Sequence, residues 1–188
     1  MSDELFGERR RALEEAFFRK QDAEGLAEMR AKRQSEHMKD ALRETAGITN
    51  EPLLSHLVSV GLTPETLVAA AVAPLVAVAW ADGKLEEAER NQILREAHGL
   101  DLGDEALILL EHWLAQEPEP SLFETWTEYI QSLLPRLDES ARAQLKATTH
   151  ARAVAVAEAA AGEPYGVGRQ ISLEEQSVLR RINAPFES

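Results

Sequence analysis

Residues 78–90 read VAWADGKLEEAER, and they give the clearest indication of the chain's architecture. An apolar run passes through Asp82-Gly83 into an acidic segment whose apolar residues recur at helical spacing. Gly83 suits the left-handed residue that follows a helix. Glu86 and Glu89 fall in the first turn of the next helix, where the helix dipole favours acids. The stretch therefore predicts two helices joined by a tight turn.

An EF-hand is the first alternative to exclude. With Gly83 placed at the loop's glycine position, Asp82 and Glu89 occupy two of the positions that supply calcium ligands. Val78 and Trp80 then occupy two others, and neither side chain has a ligating oxygen. An ordinary EF-hand loop is therefore excluded, although its two carboxylates remain.

The sequence around this corner occurs twice. The run at 76–81 (VAVAWA) is echoed at 154–159 (VAVAEA), and 85–93 is echoed at 171–179 with an apolar residue, a glutamate and an apolar residue at four-residue intervals. The second copy is longer between these two parts, within GEPYGVGRQ at 162–170. The echo predicts a helical bundle of two tandem helical units.

Two interpretations of the acids stay open. Helix capping alone explains the glutamates, because Ser172 and Glu175 form a capping-box pattern and Glu89 stands at the position that matches Glu175. Capping does not explain why four acids fall between residues 82 and 89. Asp82, Glu86 and Glu89 therefore remain candidate ligands for a hard divalent cation, Ca²⁺ or Mg²⁺, with water completing its shell.

The rest of the chain is also helical in pattern. Of the 188 residues in the whole chain, 44% are hydrophobic, and no segment shows sustained β alternation. The patterns predict an all-α protein of seven or eight helices. Asn50 is a predicted N-cap, Gly61 ends that short helix, and the apolar run at 67–81 predicts a buried central helix kinked at Pro74.

Residues 1–46 predict a separate extension. They hold ten Lys/Arg and eleven Asp/Glu, as expected of a long charged amphipathic helix. Leu13, Phe17 and Phe18 are its candidate partner-binding residues, for another protein or for a second copy of the chain. Residues 47–188 then form the helical domain, which carries twelve of the thirteen net negative charges.

The composition excludes several classes of function. The acidic body makes nucleic acid a poor partner, and the absence of cysteine excludes disulfides and thiolate zinc sites. The longest apolar run is shorter than a membrane span, so we expect a cytoplasmic protein without direct membrane insertion. No arrangement of nucleophile, base or cofactor motif stands out, so we predict a protein that is not an enzyme.

The corner resembles the signature of the TerB family, named for tellurite resistance. That signature is an Ala-rich helix, then Ala-Asp-Gly-x-[Ile/Leu], an acid four residues later and an apolar residue four beyond, and Ala79–Ile93 match it. The looser resemblance covers about residues 50–183. It implies a bacterial stress-response protein with metal binding at Asp82 and Glu89. Ala160 stands where the second copy would have its aspartate.

The first segment has a second resemblance. Arg11-Ala12-Leu13-Glu14-x-x-Phe17, followed by Asp22-x-Glu24, is similar to the opening of the bacterial ATPase-inhibitor zeta subunits over about twenty residues. The spacing to Asp22 departs from that pattern. This resemblance implies the alternative function: a protein–protein adaptor or regulator, inhibitor-like, that acts through its N-terminal helix without a metal.

Overall fold

The computed structural model describes residues 2–161 and 171–187, and the side chains of 19–159 and 171–187. This part of the chain is all-helical, as predicted, and contains no β-strand. A 45-residue helix is followed by a bundle of seven shorter ones. The helices are α1 (Ser2–Ala46), α2 (Glu51–Ser59), α3 (Ala73–Ala79), α4 (Glu87–His98), α5 (Asp104–Ala115), α6 (Ser121–Leu133), α7 (Glu139–Ala161) and α8 (Leu173–Asn183).

The predicted boundaries of α2 are confirmed. The Asn50 side chain accepts a hydrogen bond from the Leu53 amide at 3.1 Å, which satisfies one of the free amides at the start of the helix. The helix ends at Ser59, and Gly61 follows with a φ of +82°. A side chain at Gly61 would be strained by that backbone conformation and would meet Leu109.

The prediction of one kinked helix over the central apolar run is wrong. A 3-10 helix covers Leu67–Ala71, and α3 begins at Ala73. Pro74 lies in the first turn of α3, because proline has no amide to donate and its ring would clash with the carbonyl of Ala70 in a continuous helix. Most of the run is nevertheless buried, although Val68 and Ala71 in the 3-10 helix are exposed. Hydrophobicity therefore decided its location, and Pro74 decided its local form.

The core lies around α3, which packs against α6, α7 and α8, while α4 packs along α7. Small side chains at the centre let the helices approach closely, and larger ones fill the surrounding layer. The largest fully buried side chains are Trp126, Leu42, Leu53, Leu54, Leu57, Leu62, Leu75, Ile93, Leu110, Ile182, Val72 and Val76.

The C-terminal end of α1 is part of this core. Leu42 is fully buried. Lys39 and Arg43 both form ion pairs with Glu51 of α2, with N–O distances of 3.1 and 2.8 Å. We call residues 38–46 the base of α1, because these contacts join the long helix to the bundle.

Arg136 closes the base. Its guanidinium donates to the carbonyl oxygens of Ala46 and Gly47, both at 2.7 Å. Carbonyls at a helix C-terminus lack partners within the helix and carry partial negative charge, so a cation there stabilises the helix end. Gly47 has a φ of +65°, and a Cβ at that position would lie 2.5 Å from the Arg136 side chain.

The longer loop of the second copy, GEPYGVGRQ at 162–170, lies outside the described residues. Within the described ranges, the helices are too short or too polar for any of them to cross a lipid bilayer.

Candidate functional site

The predicted corner is a helix–turn–helix. Gly83 has a φ of +80°, as expected of the residue that turns the chain. The Lys84 amide donates to the Asp82 side chain at 3.1 Å, and the Glu86 amide donates to Oε2 of Glu89 at 2.9 Å. Glu86 and Glu89 form a complete capping box at the start of α4, so the capping interpretation of these glutamates is confirmed.

The second copy builds the same device at the start of α8. The Ser172 amide donates to Oε2 of Glu175, and the Glu175 amide donates to Oγ of Ser172 at 3.1 Å. Ser172 is a more favourable N-cap residue than Glu86, but the glutamate at the third helical position does the same work in both copies. The sequence echo therefore has a structural counterpart.

The two capping glutamates meet inside the bundle. Glu89 is 3% exposed and Glu175 is 7% exposed, and Glu175 acts on the carboxyl group of Glu89 through its charge and through a side-chain hydrogen bond. Burial, followed by the charge and hydrogen bond of Glu175, raises the pKa of Glu89 to about 8. The charge of Asp82 makes the smallest contribution to this rise. We call Glu89 and Glu175 the carboxyl pair.

The carboxyl pair requires a proton or a cation. Two ionised carboxylates have no hydrogen to share and repel each other, whereas a single proton between them makes a hydrogen bond. The charges that raise the pKa of Glu89 come from Glu175 of α8 and from Asp82 of the turn after α3, and all of these groups are acids. With a pKa of about 8, Glu89 is therefore protonated at neutral pH.

The three predicted metal ligands lie at one corner but do not form one ligand set. Asp82 is exposed, Glu86 is half-buried and Glu89 is buried. Within the described ranges, no three or more His, Cys, Asp or Glu side chains are grouped as metal ligands would be. The sequence predicts Glu175 only as a helix cap. Its match to Glu89 in the repeat is the signal that indicates a place beside Glu89.

The predicted partner-binding segment forms a projecting helix. We call residues 19–37 of α1 the arm, and every residue in it is exposed except Gly25 and Ser35, which are half-buried. Leu26 is 49% and Met29 61% exposed. Leu13, Phe17 and Phe18 precede the arm in the same helix, and their side chains lie outside the part of the chain that the structure describes.

Two surface hollows were not foreseen from the sequence. One, of about 230 Å³, is lined in part by Trp80, Phe123 and Arg181, and the Arg181 guanidinium lies 4.7 Å from the centre of the Phe123 ring. The other, of about 350 Å³, lies between the end of α2, α5 and the start of α6. No sequence motif marks either of them, because both arise from the packing of distant helices.

Comparison of the chain with protein-family models, with curated proteins and with solved structures found no match to any of them. The TerB resemblance therefore stays a prediction that depends on the residues Ala79–Ile93.

Proposed function

We propose that this chain is a non-catalytic binding protein, an adaptor or regulator that recognises another protein chain through the arm. The observation that carries this proposal is a continuous helix that leaves its bundle and exposes nearly every side chain over residues 19–37. At 1.5 Å per residue, those residues extend for about 28 Å.

Exposed apolar side chains support a binding role for the arm. A helix that is polar and exposed on all sides gains little from tertiary packing and is marginal when isolated. In the arm, the ion pair between Lys20 and Glu24, at 3.7 Å, adds only a few tenths of a kcal/mol. Leu26 and Met29 would be buried by a partner, and their burial would stabilise the helix together with the complex.

The anchoring of the base supports the same role. Leu42 is buried in the core, Glu51 holds two basic side chains of the base, and Arg136 binds its last carbonyls. These contacts fix the direction in which the arm leaves the bundle. A binding helix that is held in place before binding loses less conformational entropy when the complex forms.

The test is a pull-down from lysate of the source cells with the full chain. The double variant Leu26→Asp with Met29→Asp should lose the captured protein, because two charges would be buried against the partner. Leu173→Asp is the matched control, since Leu173 is 77% exposed but lies on α8 of the bundle. Equal capture by the wild type and the double variant would refute an arm-based function.

A second candidate function is the binding of a divalent cation at the corner, and the carboxyl pair is the observation that favours it. Glu89 and Glu175 place two carboxylates side by side, and Asp82 is close enough to act on Glu89 electrostatically. A Ca²⁺ or Mg²⁺ ion that replaced the shared proton would neutralise the pair, with water supplying most of its ligands.

Competition between proton and cation gives the test. Ca²⁺ and Mg²⁺ should raise the melting temperature more at pH 8.5 than at pH 6, because the proton bound by Glu89 leaves as its pKa of about 8 is passed. The fluorescence of Trp80, whose Nε1 donates to the Trp113 carbonyl at 3.0 Å, provides a second readout. No response to millimolar metal at either pH would remove this candidate.

The resemblance of Ala79–Ile93 to the TerB signature supplies the biological setting of both candidates. We propose that the chain is a cytoplasmic component of a bacterial response to tellurite or other chemical stress. Loss of the protein should then increase the sensitivity of the source cells to tellurite, and the wild-type chain should restore resistance. If the Leu26→Asp, Met29→Asp variant also restored tellurite resistance, the stress role would not depend on binding through the arm.

A further inference from the structure

The negative charge of the bundle is concentrated in one region. Residues 96–135, which contain α5 and α6, include nine Asp or Glu and no Lys or Arg. They therefore carry most of the chain's net charge of −13. A surface of one sign attracts segments of the opposite sign and repels its own kind. A partner for this region should be basic.

The exposed side of α5 combines this charge with apolar surface. Ile108 is 67% exposed, and Glu105 and Glu111 lie three residues before and after it, on the same side of the helix. The 350 Å³ hollow adjoins this helix, and Val60, Leu109, Pro118, Glu119 and Leu122 are among the residues that line it. We call Ile108, its two flanking glutamates and the hollow the α5 face.

The arm has the complementary properties. Residues 19–37 hold five Lys or Arg and four Asp or Glu, so the arm is net positive by one charge although the whole chain is acidic. Around the exposed Met29, the stretch 29–33 (MRAKR) has three basic residues and no acid. An exposed apolar side chain flanked by cations matches an apolar hollow with an acidic rim.

We propose that the arm of one copy docks on the α5 face of a second copy. Nearly all residues of the arm are exposed, as are Glu105, Ile108 and Glu111 of the α5 face, so one molecule presents both surfaces. Reciprocal docking of two arms on two faces gives a closed two-fold dimer, which uses both surfaces of each chain once. This inference rests on the proposed binding role of the arm and names its partner.

Charge exchange between the two surfaces tests the proposal. The arm variant carries Arg30→Glu, Lys32→Glu and Arg33→Glu, and the face variant carries Glu105→Lys and Glu111→Lys. In a dimer of either variant alone, the arm and the α5 face would carry charge of the same sign at both contacts. Each variant should therefore be monomeric, with a dissociation constant of the dimer raised about tenfold or more. An equal mixture of the two variants restores opposite charges at both contacts and should dimerise again.

Light scattering after gel filtration, at low and high salt, measures the outcome. The wild type should be a dimer that weakens as salt rises, because exposed charge pairs are screened. Ile108→Ser should weaken it without changing any charge. The matched control, Glu139→Lys with Glu158→Lys, reverses two exposed charges of α7 and should remain dimeric.

The outcomes separate this inference from the proposed function. A wild type that is monomeric at all concentrations would overturn self-docking, while arm-dependent capture of a different protein would preserve the adaptor role. A dimer lost in the arm variant but kept in the face variant and in Ile108→Ser would mean that two arms pair with each other, and would overturn the α5 face as the site. A dimer kept in both charge variants would overturn the whole arrangement.

Discussion

The arm and the bundle are built from the same kind of residue but do opposite things with it. Leu57 in α2 is fully buried among core side chains, whereas Leu26 in the arm is 49% exposed. The bundle buries many of its leucines and gains stability from them, and the arm leaves Leu26 accessible to a partner. The comparison shows that stability and binding reside in different parts of one chain, so variants can affect one without the other.

A matched pair of leucine substitutions should show the largest contrast. Leu57→Ala removes fully buried methyl groups and leaves a cavity, so the free energy of unfolding should fall by about 2–5 kcal/mol. Leu26→Ala should change it by less than about 0.5 kcal/mol. Urea unfolding followed by circular dichroism measures both, and similar losses would mean that the arm packs on the bundle in solution.

The carboxyl pair should give the bundle a pH dependence that the arm lacks. The pKa of Glu89 is raised from 4.5 to about 8 on folding, so between these pH values the folded state holds a proton that the unfolded state has lost. Stability therefore falls as pH rises through this window, by at most about 1.4 kcal/mol per pH unit, and the fall levels off above the folded pKa.

Glu89→Gln tests the origin of that slope. The amide cannot ionise, and its N–H can replace the shared proton in the hydrogen bond to Glu175. The variant should lose most of the slope between pH 5 and pH 8 and should match or exceed the wild type in stability at pH 8. Glu87→Gln, an exposed position in the same turn, is the control. Equal slopes in the two variants would refute the proton-sharing account.

A smaller effect is expected where the arm joins the bundle. Arg136→Gln removes the guanidinium that holds the carbonyls of Ala46 and Gly47, and should cost about 1 kcal/mol, since the side chain is exposed. Amide hydrogen exchange should become faster in the base, at residues 38–46, and stay unchanged in α7. Unaltered exchange in the base would show that Leu42 and Glu51 anchor α1 without help from Arg136.

Local sequence signals predicted the helices well, because caps and glycines act on their immediate neighbours. Asn50 begins α2, Gly83 turns the chain and Ser172 begins α8, each as expected. The central apolar run was predicted as one helix, because burial and helix continuity give the same hydrophobic signal. Only Pro74, which cannot donate a backbone hydrogen bond, distinguishes a buried run from a continuous helix. Whether it kinks or ends the helix depends on the helices packed around it.

Contacts between distant segments were beyond the reach of local patterns. The repeat placed Glu89 and Glu175 in equivalent positions, but it did not say that the two units turn these residues toward each other. The hollow beside α5 is made by α2, α5 and α6, which no motif connects. The acidic character of residues 96–135, in contrast, can be read from the sequence without any fold.

Photo-crosslinking in the whole chain tests whether the arm binds a partner while the bundle supports it. A photoreactive residue at position 29 in the arm should crosslink to another chain in the source cells, and in the purified protein to the 105–122 region of a second copy. The same residue at position 173, exposed on the bundle, should give little product. Equal crosslinking at the two positions, or none at position 29, would contradict the account.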